Sequence, residues 1–330
     1  MTKCFLFTNR VRSACMLAML ALAATATSTF AQSYPARGVR IIIPFEPGGG
    51  SDLHARALAN ELGKLWKLPL LPENMGGAGG GVAASAVARS KPDGYTIFFA
   101  THPILAINPV LYDTLNYNPD TDFIPVVKLG ETALMALVSA TSGINTIPEL
   151  IKLAKDKPGT LNFGTGGVGT TQHLSAELFK ALANIDIVHI PFKGGAPANA
   201  AMMAGQIQLQ FDSFFPGMTL SRAGKIRGIA VTGKTRQAQL PDMPTVGETL
   251  KGYESVLGYA ILVPAGTPAG IVTTLNRDIN KVLADPAYKK EMNDRGINLD
   301  GGTPEELKTW LAAERRKWGE LIKRMGIKAG

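Results

Sequence analysis

Cysteine occurs only at positions 4 and 15, both inside a stretch that reads as a removable leader. The chain after residue 31 is therefore without a thiol, which excludes disulfides, thiolate nucleophiles and cysteine metal sites. Charge is sparse too, at 18% of residues, with no run of five like charges. Setting aside the leader's Lys3, Arg10 and Arg12 takes the formal charge from +8 to +5. That mild, scattered excess does not indicate nucleic-acid binding and supports only a weak attraction for anions. No eighteen-residue apolar run follows the leader, so no membrane span is expected. Nucleophile-elbow and zinc-protease signatures are both missing. The four histidines, His54, His102, His173 and His189, are not spaced as metal ligands, and no metal is expected. Ser51, Asp52 and His54 lie close in sequence, but three residues opening one helix do not converge as a catalytic triad does.

A hydrophobic content of 45% over 330 residues gives a globular chain long enough for two domains. Residues 1–31 have the layout of an export signal. The basic residues Lys3, Arg10 and Arg12 precede an apolar segment from Ala14 to Ala26, and Thr29-Phe30-Ala31 supplies a cleavage site before Gln32. The protein is expected in the periplasm, exported and then soluble.

The apolar run Val39 to Ile43 reads as a buried strand and is followed by Pro44-Phe45-Glu46-Pro47-Gly48-Gly49-Gly50-Ser51-Asp52. Leu58, Leu62 and Leu65 then fall at helical spacing, with Ser51 as the expected N-cap. Strand, three glycines and helix N-terminus together form a cradle for an anion. Glycines admit close backbone approach, and the first-turn amides have no intrahelical partners. The lysine of a P-loop is missing, so a carboxylate fits as well as a phosphate. A second copy of the arrangement runs from Leu161-Asn162-Phe163 through the glycines 164–169 to Thr170-Thr171, which can cap a helix carrying Leu174, Leu178 and Leu182. Alternating strands and helices predict doubly wound α/β lobes with parallel sheets, and ligands gather at the carboxyl ends of such strands. Two glycine loops of this kind predict two lobes closing on a cleft.

Gly164, Gly166 and Gly169 also match the dinucleotide fingerprint, and Gly79, Gly81 and Ala84 its looser form. That reading needs an acid at the end of the next strand, but the strand ends on Phe192-Lys193, and Asp186 sits at its beginning. No cofactor is expected.

The segments PFEPGGGSD, ENMGGAGGGVAASAVARSKPDGYT, INPVLY, TQHLSAELF, IPFKGG, Phe211-Asp212 and LPDMPTVGE, in this order along the whole chain, resemble the Bug family. These are the extracytoplasmic solute-binding receptors of tripartite tricarboxylate transporters. The resemblance implies a periplasmic binding protein fold of two α/β lobes joined by two hinge strands. Lobe one would comprise residues 32–130 plus 250–330 and lobe two residues 131–249. It implies no catalysis: a monomer grips a small carboxylate between its lobes and delivers it to membrane transport subunits. Carried over motif by motif, lobe one would bind through Phe45, Gly48, Gly49, Gly50, Ser51 and Asp52, with Asn74, Gly76, Thr101 and His102 alongside. Lobe two would add Thr165, Gly166, Thr170, Thr171, Gln172 and His173, with Phe192, Lys193 and Asp212 near the rim. Glu46 departs from the family pattern, which usually has a small or apolar residue there. It is the specificity candidate, pointing either to solvent or to a donor on the ligand. His102 likewise stands where a small polar residue is more usual. The alternatives are a sensor that presents the same ligand to a signalling protein and a nucleotide-dependent enzyme.

Overall fold

The apolar run Val39–Ile43 is strand β1, and it pairs in parallel with β2 (Leu70–Asn74) on one side and β3 (Thr96–Thr101) on the other. This structure, a computed structural model, describes residues 34–327. The expected export signal lies outside the described residues. Helix α1 (Gly50–Trp66) links β1 to β2, and α2 (Gly81–Ala88) links β2 to β3. After β3 one wide turn, Pro103–Ile107, closed by Asn108 N–H donating to the Pro103 carbonyl, leads into the short helix α3 (Asn108–Leu111).

The 17-residue strand β4 (Phe123–Ser139) then runs through both halves of the molecule. Helix α4 (Ile147–Asp156), β5 (Asn162–Thr165), α5 (Thr171–Ala183), β6 (Val188–Pro191), α6 (Gly195–Met203), β7 (Leu209–Ser213), α7 (Phe214–Arg222) and β8 (Ile226–Val231) build the second half. Helix α8 (Val246–Thr249) leads to β9 (Val256–Pro264), and α9 (Ala269–Ala284), α10 (Pro286–Asp294), β10 (Ile297–Leu299) and α11 (Pro304–Met325) complete the first.

Strand β4 divides the molecule into two lobes. Its residues Phe123 to Ala133 pair with β9, giving the order β2-β1-β3-β9-β4-β10. From Leu134 onward it pairs with β7 and β8, giving β8-β4-β7-β5-β6. The chain returns through residues 232–256. Tyr253 still packs on lobe two, its hydroxyl donating to the Ser175 carbonyl at 3.0 Å, and Val256 is the first residue to pair with Ala133. The expectation of parallel sheets holds for β1–β3 and β5–β7 but not for β4 and β9, which run antiparallel to their neighbours. Each of these two enters a sheet from the other lobe, so it does not follow the right-handed strand–helix–strand crossover that makes its neighbours parallel.

Each lobe has its own core. Ile42, Phe98, Phe123, Leu262 and Leu307 pack together in lobe one, and Met135, Leu137, Met202, Ile207 and Phe214 in lobe two. Fully burying side chains of this size contributes about 1.5–3 kcal/mol apiece. Helix α11 is fixed at its start by Thr303 and Glu306 in a reciprocal capping box, with Pro304 in its first turn. No helix among the described residues is long and apolar enough to cross a membrane.

Candidate functional site

Phe45 follows β1 and Thr101 ends β3, while Gly166 follows β5 and Asp212 and Ser213 end β7. All of these strands aim their carboxyl ends at the seam between the lobes, where open α/β sheets place ligands. Lobe one lines the resulting cavity with Phe45, Gly49, Gly50, Ser51 and Thr101. Lobe two lines it with Gly166, Thr170, Thr171, Gln172, Gly195, Asp212 and Ser213, and β9 adds Leu257. The lobes stand closed over this space, which measures about 40 Å³. Glu46 N–H donates to the Lys193 carbonyl across the seam at 3.2 Å, and a Cβ added to Gly50 would lie 2.4 Å from Ser213 Cβ.

The cup of lobe one differs in one respect from the sequence-based reading. Ser51 is not the N-cap of α1: Gly49 takes that place, with no side-chain capping bond, and Ser51 lies inside the first turn. Asp52, in the same turn, instead ties down the loop that precedes the helix. Its Oδ2 accepts from Gly48 N–H at 2.9 Å, and its Oδ1 accepts from Arg56 Nε at 2.8 Å and Asn74 Nδ2 at 2.9 Å. Asn74 Nδ2 also donates to the Phe45 carbonyl at 2.9 Å, so Asp52 and Asn74 brace the glycine loop from behind.

In lobe two, Thr170 caps α5 by accepting from His173 N–H at 3.3 Å. The Gln172 amide is oriented by Gly166 N–H, which donates to its Oε1. Its Nε2 is thereby turned to Asp212 Oδ1, at 2.6 Å. Asp212 further accepts from Asn199 Nδ2 at 2.6 Å and from Ser213 N–H at 2.8 Å. Burial pushes this carboxyl above the usual range, against the pull of the three donors. Helix α6, starting at Gly195, has no side-chain cap either.

The N-termini of α1, α5 and α6 thus meet at one cavity, each carrying the equivalent of roughly half a positive charge. None of the lining residues is Lys, Arg or His. Two buried hydroxyls, Thr101 Oγ1 of lobe one and Thr171 Oγ1 of lobe two, find no hydrogen-bond partner among the described residues. The site can hold a small anion by neutral donors and oriented dipoles.

Ten of the residues carried over by resemblance line the cavity: Phe45, Gly49, Gly50, Ser51, Thr101, Gly166, Thr170, Thr171, Gln172 and Asp212. The others stand around it. Gly48, Asp52 and Asn74 form the brace just described. Gly76 lies against the carboxylate of half-buried Glu46 and the Lys193 carbonyl, at the lip. Thr165 Oγ1 is 2.7 Å from His189 Nε2, and His173 stacks on that ring while its Nδ1 accepts from Gly169 N–H. Phe192 packs on the lobe-two core, and the Lys193 side chain is exposed. His102 turns away from the cavity. Its Nδ1 accepts from Gly258 N–H at 3.0 Å, and its ring lies against Trp310 and Trp318, where burial above all lowers its pKa to about 3. Sequence reasoning missed Gly195, Ser213 and Leu257 as lining residues. Ser213 ends a strand and Gly195 opens the helix after one, a legible signal, whereas Leu257 sits within a crossing strand and carries none.

Two α/β lobes joined by crossing strands around a shared cleft make this a binding protein of the periplasmic type. The chain belongs to the tripartite tricarboxylate transporter family receptors, whose family model matches residues 54–327. Protein BugT of Bordetella pertussis is 30% identical, over 94% of this chain and 95% of that one. Among solved structures, Rpa4515 of R. palustris with adipate superposes with a TM-score of 0.87 at 33% identity, over 89% of this chain and 99% of that one. MatC of Rhodopseudomonas palustris with bound malate gives 0.83 at 29% identity, over 88% and 100%.

Proposed function

We propose that this protein captures a small carboxylate between its lobes and delivers it to the membrane subunits of a tripartite tricarboxylate transporter, without chemical conversion. The carrying observation is the pair of buried, unpartnered hydroxyls, Thr101 Oγ1 and Thr171 Oγ1, set in opposite lobes on one cavity. A buried hydroxyl without a partner is destabilising, and a carboxylate oxygen supplies what each lacks. Hydrogen bonds to a charged group contribute about 1.5–3 kcal/mol each. One ligand reaching both hydroxyls would favour the closed arrangement over an open one, which is how differential affinity drives hinge closure. The adipate and malate of the two related structures are consistent with such a ligand.

Thermal unfolding against a panel of dicarboxylates, hydroxy acids, amino acids, aromatic acids and sugars tests this reading. A true ligand at 100 times its dissociation constant adds about 2.7 kcal/mol of stability. Stabilisation by sugars with none by any acid would sink it.

A further inference from the structure

We propose that Tyr112 is a latch: from lobe one its hydroxyl holds the glycine loop of lobe two, setting the balance of closed and open forms without touching the ligand. Tyr112 Oη donates to the Val168 carbonyl at 2.9 Å, and Val168 lies in the loop between Gly166 and Thr170 that lines the cavity. The two backbones are in contact at this point. A Cβ added to Gly79, whose φ is +57°, would lie 2.3 Å from the Val168 carbonyl oxygen. Beside the bond runs an apolar seam between the lobes, with Ile107, Leu111, Trp318 and Ile322 packed against Leu174 of α5. Opening the cleft would hydrate this seam and break the bond.

Tyr112 does not line the cavity. The latch consists of protein atoms only, so it favours closure before any ligand arrives. Its contribution also adds to that of any ligand, because a carboxylate bound by Thr101 and Thr171 meets a glycine loop already held in place. Burial of the phenol raises its pKa, so it stays a donor throughout the physiological range. The inference rests on the two-lobed fold and on the carboxylate reading only for its effect on ligand release.

The test uses spin labels on Leu71→Cys and Val188→Cys, with Cys4 and Cys15 changed to serine. Both labelled positions are exposed, on the outer strands β2 and β6 at opposite ends of the two sheets. Pulsed distance measurements should find a closed population without added ligand. Tyr112→Phe, which keeps the ring and removes only the bond, should lower the closed-to-open ratio about three- to ten-fold, the worth of one hydrogen bond. The unfolding midpoint of the ligand-free protein should fall by no more than the loss of the closed form accounts for. An unchanged ratio, a wild type with no closed population, or a fall in unfolding midpoint larger than the shift accounts for would each overturn the latch. Adipate forms a separate arm. If it binds, its dissociation should quicken by a similar factor in Tyr112→Phe with association unchanged. If it fails to shift wild-type distances, that counts against the carboxylate reading alone, and the ligand-free comparison still decides the latch.

Discussion

Replacing Thr101 or Thr171 by valine exchanges a buried, unpartnered hydroxyl for a methyl group of nearly the same size. The ordinary cost of losing a hydrogen bond is then missing from the folded protein, because no partner among the described residues is left behind. Each substitution should leave the unfolding midpoint unchanged or raise it slightly. Ligand affinity should fall by roughly ten- to hundred-fold, the worth of one hydrogen bond to a charged oxygen. Calorimetric titration beside thermal unfolding reads both quantities. Affinity unchanged in both variants would remove these hydroxyls from the binding role. Asp212 obeys a different logic. Its carboxyl is held by Gln172, Asn199 and the Ser213 amide, so its loss would free three donors at once and disturb the loop that they orient.

At the level of elements, the two crossing segments meet at Thr232, which is fully buried. Its Oγ1 accepts from Leu134 N–H at 2.7 Å and lies 2.6 Å from the Ser255 carbonyl, to which it donates. Its backbone N–H donates to the Leu134 carbonyl at 2.9 Å. Thr232→Val keeps the shape and leaves one amide and one carbonyl unmatched, at about 1–3 kcal/mol for each. The urea midpoint should drop accordingly. An unchanged midpoint would mean that the knot contributes nothing. This knot was not legible in the sequence, because its partners are 98 and 23 residues away. In the sequence, strand β4 shows only as two apolar pieces, Phe123 to Val127 and Leu134 to Ser139. Lys128, Gly130 and Glu131 interrupt the apolar pattern between them, and only the fold shows why they are tolerated. Lys128 Nζ lies 2.8 Å from both Glu131 and Asp300, and Gly130 faces the Asn298 carbonyl where a Cβ would lie 2.2 Å away. The glycine loops and the helices after them were readable, since short-range chemistry specifies a strand, a tight turn and a helix start. Which loop residues line the cavity and which brace it depends on long-range packing, as Asp52 and His102 illustrate.

For the molecule as a whole, three of the four histidines, His54, His102 and His173, bear on how the fold responds to acid. His54 and His102 are fully buried, and His173 nearly so, and burial is the first cause that lowers each to a pKa of about 3. His54 has no hydrogen-bond partner for either ring nitrogen among the described residues and packs edge-on against Phe99 and Tyr259. All three rings are therefore neutral when folded at neutral pH. Unfolded, they would take up protons near pH 6.5. Between that value and a pKa of about 3 the unfolded chain binds more protons than the folded one, so stability present above pH 6.5 is lost as pH falls. Each ring contributes about 1.4 kcal/mol per pH unit over this window, and the three together about 4 kcal/mol per unit. A domain with the usual 5–15 kcal/mol of stability would unfold within a few pH units below 6.5. His102→Asn can preserve the acceptor for Gly258 N–H while removing the titrating ring. Plotted against pH from 7 to 4, its stability should fall less steeply than that of wild type, by about 1.4 kcal/mol per unit. Parallel curves would show that His102 is protonated in the folded protein, against the neutral state that burial between Trp310, Trp318 and the crossing strand at Gly258 imposes.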